Sequence, residues 1–242
     1  VFFWTSLVAP GIRVAFTDRG AGNLAPHVGG NPDAAVRSRH ALEVELGIGP
    51  DSLHFMNQTH STVLAEAGTG TGTRTVPDAD ALLSLTGTDT LAVLVADCVP
   101  VVLVGSTARN EPMTAVIHAG RKGVEGNIAG RTVGAMRRRG AESISAWIGP
   151  SVCGQCYEVP EAMREEVAGT VPLTHGTTRW GTPALNLPAG VRGQLETLAV
   201  SVQDLGADGN PCTLENERLF SHRAVGQGRP AGRLAGLVWP DA

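Results

Sequence analysis

The apolar positions of this chain fall into short runs broken by turn residues, and several runs end on a residue able to do chemistry. Gly11-Ile12-Arg13-Val14-Ala15-Phe16-Thr17 alternates as a half-buried strand does. A polar, Gly-rich loop follows from Asp18 to Asn31. Asn31-Pro32-Asp33 then opens a helix, with Pro near its first position and an acid in its first turn. Ala35, Val36, Leu42, Val44 and Leu46 supply apolar positions as far as Gly47, a natural C-terminal stop. Short strands are predicted over 53–56 and 62–65, and residues 66–78 form a Gly/Thr loop without periodicity.

Further strands are predicted over 79–85 and 91–96, the second interrupted by Asp97-Cys98, and the apolar run resumes over 99–104 across Pro100. The run 113–117 leads straight into His118. After it, Ala119-Gly120-Arg121-Lys122-Gly123 opens one helix reaching about Arg139 and stopped by Gly140. A strand over 143–148, helices over 160–167 and 188–200, and a closing strand over 234–239 complete the pattern. Strands and helices mix without a strict βαβ rhythm, which predicts a mixed sheet in an α+β or layered α/β fold. No stretch reads as a linker, so one domain over 1–242 is expected.

Composition narrows the partners. A hydrophobic fraction of 42% and a charged fraction of 17% describe an ordinary globular protein, and 31 glycines imply many tight turns. A net charge of −4 gives no electrostatic case for nucleic acid or an anionic membrane. The first ten residues lack a basic flank and carry only a short apolar run, a poor signal peptide. No segment approaches the roughly 20 apolar residues that span a bilayer. A cytoplasmic, reducing setting is therefore the expectation, with the four cysteines as thiols or metal ligands.

Three segments carry the chemistry: Asn57-Gln58-Thr59-His60, Ala96-Asp97-Cys98-Val99-Pro100 and Ile117-His118-Ala119-Gly120. Two imidazoles and a thiolate make a three-ligand zinc set with an open fourth position. The same trio fits a cysteine nucleophile with a histidine base. Cys98 alone also reads as a small core residue, but a charge before it and a Pro after it argue for a strand end or bulge. The turn from His118 into the next helix, with Arg121 and Lys122, suits an anion, or is a plain βα turn with solvated charges. Cys153-Gly154-Gln155-Cys156 reads as a local turn with packed thiols, since no second pair exists and Cys212 alone does not complete four thiolates. Arg223 and Arg233 lie in Gly-rich C-terminal segments and suit oxyanions, or a surface loop.

In order along the chain, Phe16-Thr17-Asp18-Arg19, Gln58-Thr59-His60, Ala79-Asp80-Ala81, Ala96-Asp97-Cys98-Val99-Pro100, His118-Ala119-Gly120, Ile148-Gly149-Pro150, Cys156-Tyr157-Glu158-Val159, Phe220-Ser221-His222-Arg223 and Gly236-Leu237-Val238-Trp239 resemble the YfiH-like family. That family was long named multicopper polyphenol oxidase or laccase, and its members are regarded as purine nucleoside-processing enzymes. The resemblance implies a mixed-sheet, layered α/β/β/α sandwich, similar to a toxin deamidase domain with a Cys-His pair. It implies a metal site of His60, Cys98 and His118, holding zinc or copper. It also implies phosphorolysis of adenosine, inosine, guanosine and methylthioadenosine, with adenosine deamination as a further activity. Purine nucleosides and phosphate are then the partners, and a monomer or weak homo-oligomer is expected.

For deamination, water activated at the metal would attack C6 of the purine, with Asp97 or Glu158 moving the proton. For phosphorolysis, phosphate attacks C1′, and Arg19, Lys122, Arg223 and Arg233 form the basic pool, with Asn23 in the family's Asn position. Laccase chemistry, a Cys-His hydrolase and an inactive metal-binding member are the alternatives. Multicopper chemistry needs more well-placed imidazoles than the two, of seven histidines, that lie in the three chemistry-bearing segments. The chain departs from the family at Arg121 and Lys122, where Trp and Arg are usual, in the short Gly20–Leu24 stretch of loop, and at Ala224 in place of a second Arg. These changes bear on substrate affinity and preference.

Overall fold

The computed structural model describes residues 1–68, 76–203, 205 and 211–241. The middle of the Gly/Thr loop predicted over 66–78 lies outside the described residues. In chain order the elements are β1 (Phe2–Ala9), β2 (Ile12–Thr17), α1 (Pro32–Leu46), β3 (Leu53–His54), β4 (Leu64–Glu66), β5 (Ala81–Ser84), β6 (Thr90–Val95), β7 (Val99–Thr107) and β8 (Pro112–Ala119). There follow α2 (Arg121–Glu125), α3 (Ile128–Arg138), β9 (Ala141–Ile148), α4 (Glu161–Thr170), β10 (His175–Thr177), β11 (Pro183–Leu185), α5 (Leu187–Thr197), β12 (Ser201–Gln203), α6 (His222–Val225) and β13 (Leu234–Pro240).

Two mixed sheets stack face to face. One has strand order β1-β2-β13-β6-β3, the other β12-β9-β7-β8-β5-β4, and β10 and β11 form a separate hairpin. Between the sheets, Val14, Phe16, Leu91, Val93 and Val95 meet Leu82, Val102, Val104, Val116 and Trp147. On the outside of the first sheet, Leu42 of α1 packs with Ala15, Leu94, Leu237 and Trp239. On the outside of the second, Val101, Leu103, Ala115 and Ile117 meet Val124, Ile128, Val133, Met136, Val191 and Leu195 from α2, α3 and α5. The layering is therefore α/β/β/α. Central strands covered on both faces read as continuous apolar runs, which is why 91–95 and 99–104 show no alternation.

Several elements differ from the sequence expectation. The helix expected from 120 to about 139 is two helices, broken at Gly126-Asn127. Asn127 adopts a left-handed φ of 56° and caps α3 through the Gly130 amide at 3.0 Å. A Cβ on Gly126 would lie 2.4 Å from Thr62 Cγ2, so the chain turns there against the His60 loop. The helix expected to run to Val200 ends at Thr197, and Ala199 turns with a φ of 53°. The opening ten residues, read only as a poor signal peptide, contain β1, an edge strand paired to β2. The short strands β10, β11 and β12 were also not expected. Among the described residues no helix is long and apolar enough to cross a membrane.

One connection matters for function. β6 and β7 are separated by only three residues yet belong to different sheets. The chain crosses between layers at Ala96-Asp97-Cys98, and Asp97 makes the crossing with a φ of 86°.

Candidate active site

Each of the three motifs is held by a different device. Gln58 fastens the His60 loop to β6 with paired amide bonds, donating to Leu94 C=O at 2.7 Å and accepting its N–H at 2.9 Å. This mimics one more rung of a sheet ladder. His60 sits beyond it with a left-handed φ of 58°. Strained backbone of this kind persists where surrounding bonds over-determine it. The bonds come from Asp80, which is completely buried. Its carboxylate accepts the backbone N–H groups of Thr59, His60 and Ser61 at 3.2, 3.1 and 2.6 Å, and the Ser61 hydroxyl at 2.7 Å.

The same carboxylate orients the second imidazole. His118, near the end of β8, places Nδ1 2.7 Å from Asp80 Oδ1. With Asp80 ionised, Nδ1 is the donor, which leaves Nε2 as the nitrogen able to bind a metal once its proton is released. Cys98, at the crossing between sheets, puts Sγ 3.8 Å from His60 Nε2. The two imidazoles stand edge to face, 4.8 Å between centroids. Donor atoms of His60, Cys98 and His118 all lie within 4.8 Å of one another. Gly120 makes this approach possible: a Cβ there would lie 2.8 Å from His60 Cδ2 and 3.3 Å from Cys98 Sγ. The glycine of the His-Ala-Gly motif is thus required for space, not for its backbone angle.

The electrostatics follow from these contacts. Burial opposes the Cys98 thiolate, but hydrogen bonds with His118 and then His60 outweigh it and bring the thiol down to about 6. Burial likewise opposes charge on His118, but the bonds to Asp80 and Cys98 raise it to about 9. Burial also opposes ionisation of Asp80, and hydrogen bonds from His118 and Ser61 hold it far below the usual carboxylate range.

The other expected residues are distributed unevenly. Asp97 is buried, and both its oxygens are engaged, by the Thr213 hydroxyl at 2.6 Å and the Arg223 amide at 2.9 Å. Glu158 is exposed and accepts the Trp180 indole N–H at 2.6 Å. Arg223 donates to the Glu158 carbonyl at 2.6 Å and lies 4.5 Å over the Tyr157 ring. Arg233 is half-buried, which lowers its pKa, while the charges of Cys98 and Asp97 act to raise it. Asn23 directs all its polar capacity inward: it donates to Ala25 and Val28 carbonyls and accepts the amides of Ala25 and Arg233. Arg19 donates to Glu217 C=O at 2.7 Å and lies 5.7 Å from the Phe220 ring. Lys122 is exposed at the start of α2, whose five residues add little field, and Arg121 pairs with Glu125 at 2.7 Å.

Two residues drew no role from the sequence. Asp80 organises the site, and its signal was an acid inside an apolar run. Tyr157, the one tyrosine of the chain, is raised by burial and then feels Arg223, Cys98 and Arg121, so it borders the same centre. A cleft of about 870 Å³ lies elsewhere, bordered by Gly149, Cys153, Pro188, Arg192 and Cys212.

The family model described as multi-copper polyphenol oxidoreductase laccase matches residues 14–241. A purine nucleoside phosphorylase of Streptomyces coelicolor is 41% identical over 242 residues, covering 96% of each chain. A crystal structure from Neisseria meningitidis superposes with a TM-score of 0.80 at 29% identity, covering 100% of this chain and 99% of that one. The Bacillus licheniformis protein YfiH has the same fold, with a TM-score of 0.78 at 24% identity over 98% of each chain. The ordered motifs, the four-layer fold and these matches agree: this chain belongs to the YfiH-like family, the family of the laccase-described model.

Proposed function

We propose that this chain is a zinc-dependent purine nucleoside phosphorylase whose metal ligands are His60, Cys98 and His118. The observation that carries this reading is the meeting of two imidazoles and one acidified thiol within 4.8 Å, above a glycine that leaves them room. Two nitrogens and a sulfur suit zinc, with copper able to use the same donors, and three protein ligands leave one tetrahedral position open. Bound zinc would supply Lewis acidity at that position. A multicopper cluster fits less well, because His40, His54 and His175 each face a carboxylate of their own at 3.6–3.7 Å.

The proposed substrates are adenosine, inosine, guanosine and methylthioadenosine, with phosphate; adenosine deamination is proposed at the same centre. The similarity to the purine nucleoside phosphorylase of Streptomyces coelicolor supports phosphorolysis. In that reaction phosphate attacks C1′, the bond to the purine breaks, and the purine leaves with a proton. We assign the phosphate to Arg233, whose backbone Asn23 fixes, with Arg223 and Lys122, while Arg19 supports the rim. Asp97 is assigned to positioning, since both its oxygens hold Thr213 and Arg223. Exposed Glu158 is assigned the proton transfer. Tyr157, with Arg223 on one face, offers its ring to the purine.

Mass-spectrometric analysis of each nucleoside incubated with phosphate and metal-quantified protein tests the reading. The expected result is free purine and ribose 1-phosphate, with Cys98→Ala slower by at least about 100-fold. Zinc-loaded protein that releases no purine from any of the four overturns it.

A second reading has its own observation. Cys98 at about 6, beside a His118 oriented by Asp80, has the order of nucleophile, base and orienter found in cysteine hydrolases. Turnover that chelation abolishes and zinc restores favours the metal enzyme. A covalent substrate adduct on Cys98 in chelated protein favours the hydrolase.

A further inference from the structure

The CxxC segment is a turn, as expected, but it is not isolated. Cys156 and Tyr157 both donate their backbone N–H to the Cys153 carbonyl at 3.0 Å, which closes the turn. Ser151 bridges to Cys212 in parallel pairing, and this brings the 211–219 segment alongside. Donor atoms of Cys153, Cys156, Cys212 and Glu215 all lie within 4.8 Å of one another. No disulfide joins the four cysteines of the chain, all of which are described.

We infer that Cys153, Cys156, Cys212 and Glu215 form a second zinc site, structural in role and separate from the His60–Cys98–His118 centre. Four features of the cluster point there. The donor count is complete: three thiolates and one carboxylate fill a tetrahedron, as closed structural sites do. The spacing is right, because zinc–sulfur bonds of about 2.3 Å set sulfurs about 3.8 Å apart, and the donor atoms here already lie within 4.8 Å of one another. Cys156 Sγ already reaches Glu215 Oε1 at 3.2 Å. Backbone donors point at the sulfurs: Cys153 receives the Gln155 N–H, and Cys212 receives the Cys153 N–H at 3.5 Å. Such second-layer bonds orient ligands and offset thiolate charge. The surroundings are also suitable. Cys156 and Cys212 are buried with Val152 in a small apolar cluster, Glu215 sits at its rim, and Arg179 pairs with that carboxylate.

On binding, three S–H bonds give up their protons to solvent and three sulfur–zinc bonds and one oxygen–zinc bond form, with no change of oxidation state. The site joins two segments that share no long strand pairing. One carries Tyr157 and Glu158; the other carries Thr213, which holds Asp97, and leads on to Arg223. Arg229 already organises the second segment by donating to the carbonyls of Thr213, Leu214, Asn216 and Leu219. The metal would tie this segment to the CxxC turn and so fix one wall of the candidate active site.

The test is metal counting on the full chain, purified under reducing conditions, with cobalt(II) as the spectroscopic probe. Wild type should bind about two equivalents, and Cys98→Ala about one that keeps a strong sulfur-to-cobalt charge-transfer band. Cys153→Ser with Cys212→Ser should lose that equivalent and band while the one at Cys98 stays. If the double variant does not fold, the Cys98→Ala measurement still decides, since its second cluster is untouched. Cys98→Ala protein that binds no metal overturns the proposal, as does an intact mass two hydrogens short that marks a disulfide among these three cysteines.

Discussion

The two cysteine-containing clusters of this molecule are built on opposite principles. At His60, Cys98 and His118 the donors come from strand ends and from a loop bonded to a fully buried carboxylate. The geometry is preset by elements whose position the two sheets determine. At Cys153, Cys156 and Cys212 the donors come from a turn and a neighbouring loop, with little core beneath them. The first arrangement leaves an open side and tunes proton affinities, which is what reactivity needs. The second offers four donors, enough to fill a tetrahedron with no position left over, which is what a fastening needs. Carrying thiols therefore does not distinguish a reactive site from a structural one; the scaffold behind them does.

Removing Asp80 should break the contrast most severely. Asp80→Ala leaves His118 and three amides without their acceptor and should cost about 3–5 kcal/mol in urea unfolding. Glu215→Gln, at the partly exposed rim of the other cluster, should stay within about 0.5 kcal/mol in metal-free protein. Equal losses would mean that both clusters are equally preset. Next in size, Gly120→Ala should reduce nucleoside turnover at least about 100-fold while the circular dichroism spectrum is kept, because the new Cβ displaces His60 or Cys98. Thr213→Val removes the hydroxyl bonded to buried Asp97 and should cost about 1–3 kcal/mol, read by thermal melting.

The smallest effect is a pH dependence in chelated protein. His118 is raised from 6.5 to about 9, so its share of stability is complete below 6.5 and is lost as pH rises through about 9. Cys98 is lowered from 9.0 to about 6, so its share is complete above 9 and is lost as pH falls through about 6. Between pH 6.5 and 9 the two trends oppose each other, and the melting temperature of metal-free wild type should be nearly flat. In Cys98→Ala the His118 trend remains, held by Asp80 alone, and stability should decline above pH 6.5 over a narrower window. A wild-type curve that declines equally would show that Cys98 is not paired with His118.

Much of the architecture was legible because buried strands leave plain apolar runs. The strands at 91–96, 99–104 and 113–117 and the capped helix after Asn31 all appear close to their expected limits. The interruption at Asp97-Cys98, expected as a strand end or bulge, is a strand end, yet nothing local reveals that the two flanking strands belong to different sheets. That is a matter of long-range pairing, and so is the meeting of His60 with Cys98 and His118. The CxxC lost its context in the same way: Cys212 and Glu215 join it through long-range contacts such as the Ser151–Cys212 bridge. The break in the α2–α3 segment was more accessible, since Gly126-Asn127 is a strong turn signal inside an otherwise periodic stretch. β1 was hidden because an edge strand covered on one side shows a weak pattern.

The crossing at Asp97-Cys98 has a mechanical consequence. It is a short tether between two stacked plates, and its sulfur is one of the three donors. Any substitution that changes the spacing of the plates, such as Val93→Ala or Val102→Ala in the layer between them, pulls on that tether before it reaches the helices outside. The centre thereby acts as a gauge of how well the sheets are seated. Variants with intact ligands and a loosened interior would announce themselves first as altered cobalt spectra at Cys98, ahead of any loss of secondary structure.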